Sequence, residues 1–283
     1  MAGRYLRRST RLAAPQFCFV ALPLILLLAV FAGCKKKAEK PPRAENHATS
    51  HVGSKEGEQS SAGKGGRLAI ILDDLGNDRA AAEAIFALSC PITLSVLPNH
   101  PHSAEIAEEA RRRGYEVMLH LPMQSVGKDK PESQELRPGM STADVGSLIN
   151  DLLRSVPDAA GVNNHQGSQS TADTQLMDEL MPVLRQHNLF YVDSRTTAAT
   201  IAYDTAQRLG VPSGFRNTPF LDDVPELAPV RRQLHLALRK AQEKGEVIAI
   251  GHPHPATLQA LKEVLPDAKT QGVQLVYASE LVH

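Results

Sequence analysis

Leu68-Ala69-Ile70-Ile71-Leu72-Asp73-Asp74-Leu75-Gly76 is the stretch on which the fold turns. Its opening apolar run, Leu68 to Leu72, is too short for a helix and leads to a glycine, so it reads as a strand buried on both faces. Two adjacent carboxylates end it. Side chains alternate along an extended backbone, so Asp73 and Asp74 share a face only if the chain turns there. One acid could then hold a group while the other acts on it. Taken locally, the plainer reading has Asp74 capping a following helix and Asp73 solvated. The rest of the chain decides between them.

Outward from this stretch, short apolar runs alternate with helical patterns to the end of the chain. Strands are expected at Pro91–Leu97, Tyr115–Leu119, Ala159–Val162, Leu189–Val192, Val211–Phe215, Glu246–Ile250 and Val273–Tyr277. Helices are expected at Asp78–Leu88, Ser103–Arg113, Ser141–Val156, Thr174–His187, Thr197–Leu209 and Val230–Lys244, with one more ending at Leu265. The acidic or hydroxyl starts and the glycine after Arg113 supply the capping signals. One long loop, about Gln124 to Met140, interrupts the rhythm. Strands that alternate with helices form parallel βαβ units. Arg67–His283 has the length and repeat of a distorted (β/α) barrel, with seven strands imperfectly closed rather than eight. A doubly wound open sheet is the alternative. Neither GxGxxG nor GxxxxGK[ST] follows the first strand, which removes the usual nucleotide-binding grounds for such a sheet.

The N-terminus reads as targeting rather than fold. Arg4, Arg7, Arg8 and Arg11 precede the apolar run Phe17–Gly33, the pattern of a secretory signal, and Phe31-Ala32-Gly33-Cys34 looks like a lipobox. Residues 1–34 are thus expected to be a lipoprotein-type signal peptide, with Cys34 acylated to anchor the chain to a membrane. An uncleaved signal anchor is the alternative, although the run is at the short edge of a span and Lys35-Lys36-Lys37 blurs the charge asymmetry. Both readings place the remainder outside the cytoplasm. Residues 35–66, rich in Lys, Glu, Ser, Gly and Ala, read as a flexible tether.

Composition closes off other classes. Lys plus Arg and Asp plus Glu both number 31, so no net field favours nucleic acid. The absence of Trp argues against a stacking platform for single strands. Of the three cysteines only Cys90 falls in the folded part, so no intramolecular disulfide can form there.

The informative pattern is where the polar residues fall. Asp73-Asp74, His120, Asn163-Asn164-His165, Asp193-Ser194, Arg216-Asn217 and His252 with His254 each follow an expected strand. In a parallel barrel those ends share the face on which active sites are built. One histidine there is more often structural than a ligand; three strand ends carrying His and one carrying paired Asp are harder to dismiss. An Asp with two or three His makes a first shell for zinc or a similar divalent metal with a position left for water. Such a metal lowers the pKa of its water and polarises a carbonyl, while a second carboxylate accepts a proton and a His donates one.

The same residues resemble the divergent polysaccharide deacetylases, relatives of the metal-dependent carbohydrate esterases. The resemblance rests on Ile71-Leu72-Asp73-Asp74-Leu75-Gly76, on Met118-Leu119-His120-Leu121-Pro122-Met123-Gln124, and on Gly161-Val162-Asn163-Asn164-His165-Gln166-Gly167-Ser168. Tyr191-Val192-Asp193-Ser194 and Gly251-His252-Pro253-His254-Pro255 complete it. It implies a distorted (β/α)7 barrel. It also implies that Asp73 is general base, that Asp74 and His120 bind metal, and that His252 is general acid with His254 replacing or assisting it. The family's second motif ends in a His, where this chain has Gln124; His165 is the natural substitute. Asp193 would orient a His, with a helix cap as the competing role; Asn163, Asn164, Ser194 and Arg216 are expected as substrate-binding or supporting groups.

Two functions follow from these expectations. The first is a hydrolase that uses a divalent metal, zinc by ligand type, to remove N- or O-acetyl groups from an envelope glycan such as peptidoglycan. The second is a catalytically altered envelope lipoprotein, binding glycan or an envelope partner through the same cleft. Gln124 is the departure that keeps the second reading open.

Overall fold

Parity along the first strand sorts the core into two layers. β1 spans Gly66–Leu75. Leu68, Ile70 and Leu72 pack with helix residues such as Ile85, Ile106, Leu180 and Leu234. Ala69 and Ile71 instead join Met118, Phe190, Val192, Ile248, Ile250 and Val276. Successive residues of a strand face opposite sides, so the first layer lies between sheet and helices and the second fills the interior of a curled sheet. The computed structural model that gives this arrangement describes residues 65–127 and 130–283. The signal peptide, the lipobox Cys34 and nearly all of the tether lie outside the described residues.

Seven further strands follow: β2 Thr93–Val96, β3 Val117–Met123, β4 Gly161–Gln166, β5 Phe190–Asp193, β6 Ser213–Phe215, β7 Glu246–Gly251 and β8 Val273–Val276. All ladders are parallel, in the order β6-β5-β4-β3-β2-β1-β7, with β8 beside the first residues of β1. Among the described residues no ladder joins β6 to β7. The segment after β6 bridges that side instead: Asn217 N–H donates to the Ile248 carbonyl at 3.2 Å and Leu221 N–H to that of Ile250 at 2.9 Å. The outcome is the imperfectly closed (β/α)7–8 barrel expected from the strand–helix rhythm.

Helices α1 Arg79–Phe86, α2 Ser103–Arg112, α3 Thr142–Ser155, α4 Thr174–Gln186, α5 Ala202–Arg208, α6 Leu227–Lys244 and α7 Pro255–Val264 cover the outer layer. Asp78, Ser141 and Asp173 cap three of them, each side chain accepting from a first-turn amide, and Ser141 forms a capping box with Asp144. Among the described residues no helix is long and apolar enough to cross a membrane.

Two strands run further than the sequence suggests. β3 and β4 continue four residues past Leu119 and Val162, pairing His120 with Asn163 and Pro122 with His165. His120, Asn163, Asn164 and His165 therefore sit within strands rather than after them, and Asp193 is the last residue of β5. Proline and asparagine are weak strand formers, yet the ladder to a neighbour overrides local propensity. The Gln124–Met140 loop is also anchored. Leu136 is fully buried, its N–H donates to the Pro122 carbonyl and its carbonyl accepts from Gln124 N–H, both at 2.9 Å.

Candidate metal centre

The turn demanded at the aspartate pair is present. Asp73 continues the interior parity of Ala69 and Ile71 and is almost fully buried. Asp74 has φ 59°, a left-handed conformation that an Asp tolerates better than most residues. The ladder to β2 shifts register between Leu72 and Leu75. This kink lets the second acid reach the same side as the first.

Three ligand-type atoms meet there. Asp74 Oδ1 lies 3.2 Å from His120 Nε2 and 3.0 Å from His165 Nδ1. The two nitrogens are 3.1 Å apart. Despite this closeness, Asp74 Oδ1 is buried and makes no aligned hydrogen bond. Around a cation with bonds of about 2.0–2.1 Å, neighbouring ligands stand about 2.9 Å apart in an octahedron and about 3.3 Å apart in a tetrahedron. The observed edges lie between these values, so the triad fits a small divalent ion. Burial works against ionising Asp74, but the adjacent imidazoles of His120 and His165 outweigh it and hold the carboxyl well below the usual range. Burial likewise opposes charge on His120, while Asp73 and Asp74 raise its basicity.

A second Asp–His pair faces the triad from the open side of the barrel. His252 Nε2 is 3.9 Å from Asp74 Oδ2. Its Nδ1 pairs with Asp222 Oδ1 at 3.0 Å and its backbone N–H donates to Asp222 Oδ2 at 2.6 Å. The Thr257 hydroxyl donates to the same Oδ2 at 2.8 Å. Burial alone would lower the His252 pKa, but the Asp222 hydrogen bond and the charges of Asp73, Asp222 and Asp74 push it up to about 9. These partners favour the protonated form of His252. His254 is exposed, at the N-terminal end of α7, with its ring 5.8 Å from that of His252.

Residues 70–282 match the model of the divergent polysaccharide deacetylases. The chain belongs to that family. It is 38% identical to YibQ, an uncharacterized protein of Escherichia coli (strain K12), over 77% of this chain and 68% of that protein. It is 40% identical to an uncharacterized protein of Haemophilus influenzae (strain ATCC 51907 / DSM 11121 / KW20 / Rd), over 74% of each. Among solved structures, uncharacterized protein ATU2773 from Agrobacterium tumefaciens C58 shares the fold, with a TM-score of 0.70 at 24% identity over 78% of this chain and 91% of that one.

Within the family's fold, the sequence-derived residues divide into those that meet and those that do not. Asp73, Asp74, His120, His165 and His252 converge, and Asn163 lies between Asp73 and His120. The Gln124 main chain is tied to another segment: its carbonyl accepts from the amides of Gln169 and Ser170. Asn164 has the opposite parity to Asn163 and meets the Tyr191 hydroxyl and Ser194 N–H on the outer side of the sheet. Among the described residues Asp193 bonds to no histidine. It accepts from Arg195 N–H, the Thr200 hydroxyl and Tyr203 N–H, the capping role that competed in the sequence. All three Arg216 nitrogens donate to carbonyls, those of Ser194, Thr218 and Arg195, so this residue braces the loops after β5 and β6.

Two supporting residues escape a sequence reading. Asp222 follows no strand directly, and its Leu-Asp-Asp setting reads as the approach to a helix. Ser95 sits between Leu94 and Val96 in β2, and its hydroxyl donates to Asn163 Oδ1 at 2.6 Å.

Proposed function

We propose that this protein is a metal-dependent deacetylase acting outside the cytoplasm on an acetylated envelope glycan of the peptidoglycan type. One observation carries the reading: an Asp–His–His triangle in which Asp74 Oδ1 is buried and unsatisfied, flanked by a second carboxylate and by a histidine paired with Asp222. Asp74, His120 and His165 would hold the ion. Two nitrogens and one oxygen suit zinc. When bound, such an ion supplies Lewis acidity, polarising an acetyl carbonyl and lowering the pKa of water.

The chain's own groups do the proton work. Asp73, fixed through Asn163, accepts the proton of the attacking water. His252, kept charged by Asp222, protonates the departing amine or alcohol. Membrane attachment through Cys34 would keep the site beside the envelope polymer it serves.

The test is metal content together with acetate release. Purified full-length protein should take up one divalent ion per chain and release acetate from N-acetylated oligosaccharides or acetylated peptidoglycan. Binding of glycan with neither metal uptake nor acetate release would replace this reading with that of a binding lipoprotein.

A further inference from the structure

Asp73 and His120 touch a common side chain that the ligand set alone does not require. Asn163 lies across the ladder from His120 and is fully buried. Its Nδ2 donates to Asp73 Oδ1 at 2.8 Å and to Ser194 Oγ at 3.3 Å. Its Oδ1 accepts from the Ser95 hydroxyl at 2.6 Å and sits 2.9 Å from His120 Nδ1.

The hydrogen-bond roles follow from chemistry. The Asp73 oxygen that meets the amide nitrogen can only accept from it. The amide oxygen then faces His120, and because it too only accepts, His120 must carry a proton on Nδ1. In the neutral ring this leaves the lone pair on Nε2, the atom at 3.2 Å from Asp74 Oδ1. The orientation of one ring is thereby tied, through one amide, to the position of an acid on another strand.

We propose that Asn163 is a two-ended positioning residue: its oxygen sets the tautomer of the metal ligand His120, and its nitrogen holds the Asp73 carboxyl in place as proton acceptor. The nitrogen end rests on the deacetylase reading; the oxygen end rests only on metal binding.

Two substitutions separate the ends. Asn163→Asp keeps an acceptor for His120 and Ser95 but sets a second carboxyl against Asp73. Its metal Kd, measured by chelator competition, should stay within about threefold of wild type, while acetate release falls about 100-fold or more. Asn163→Ala removes both ends and should also weaken metal binding by about 10–100-fold, as for the loss of an outer partner of a ligand. Equal metal affinity in Asn163→Ala and wild type, or equal weakening in both variants, overturns the proposal. Nitrogen NMR of histidine-labelled, zinc-loaded wild type needs no variant: the His120 proton must sit on Nδ1, and a proton on Nε2 overturns the oxygen end. Wild type that binds zinc but releases no acetate would instead overturn the deacetylase reading and the nitrogen end with it.

Discussion

Two clusters in this barrel are built from the same parts, one aspartate and two histidines, and are in opposite states. In the Asp74–His120–His165 cluster the ligand atoms crowd to 3.0–3.2 Å, and Asp74 Oδ1 has no aligned donor. In the Asp222–His252–His254 cluster the carboxylate accepts from the His252 ring, the His252 amide and the Thr257 hydroxyl. Composition does not distinguish them; satisfaction does. Leaving a buried carboxylate oxygen unpaired is costly, so the first arrangement calls for a cation. In the second, the Asp222 carboxylate already has its donors, and the hydrogen bond to Asp222 favours a proton on His252. On the proposed reading, one cluster takes up an ion and the other holds and releases a proton.

The largest expected effects would break the first cluster. Asp74→Asn or His120→Ala should abolish stoichiometric metal uptake, measured by elemental analysis. Acetate release should fall by more than the about 100-fold expected from losing an outer partner of a ligand. His252→Ala should lower kcat/KM by about 10²–10⁴-fold with metal content unchanged. If His252→Ala also emptied the metal site, the division of labour between the clusters would be wrong.

A smaller effect would sharpen the second cluster. His252 has its pKa raised from 6.5 to about 9, so its charged form is favoured in the folded state. The associated stability is fully present below about 6.5 and is lost as pH rises through about 9. Activity that needs His252 as acid should fall on the same alkaline limb. Asp222→Asn removes the main support for the charge and should move that limb of the kcat/KM profile toward neutral pH. An unmoved limb would assign the acid to another group.

How much of this was legible depended on which periodicity carried the information. The strand–helix alternation and the aspartate turn could be read directly, because apolar runs and adjacent acids leave few conformations open. The ends of β3 and β4 could not, since Pro122 and Asn163-Asn164 look like breakers until a neighbouring strand pairs with them. Adjacency in sequence groups Asp193 and Asn164 with the site. Parity separates them: Val192 faces the interior, so Asp193 one residue on does not, and Asn163 and Asn164 divide in the same way. Asp222 was illegible for a different reason. It lies on the segment that bridges β6 and β7, where no strand pattern specifies which residues meet.

Gln124 and Gly251 give the two smallest effects. If His165 supplies the second imidazole, restoring a histidine in Gln124→His should leave one ion per chain and change its affinity by only a few-fold, because the main chain there is pinned to Leu136, Gln169 and Ser170. Gly251 ends β7 beside the Asp222 carboxylate. A methyl group at 251 would stand 3.1 Å from Leu221 Cβ and 3.3 Å from Asp222 Oδ2. Both contacts are tight enough that Asp222 must give by a few tenths of an ångström, while the metal triad on β1, β3 and β4 is untouched. Gly251→Ala should therefore keep metal affinity and KM and lower kcat by less than the about 10²-fold lower bound for removing a general acid. It should also shift the alkaline limb in the same direction as Asp222→Asn but by less, since the Asp222–His252 hydrogen bond is lengthened rather than removed. A loss of metal in Gly251→Ala would mean that the two clusters are mechanically coupled.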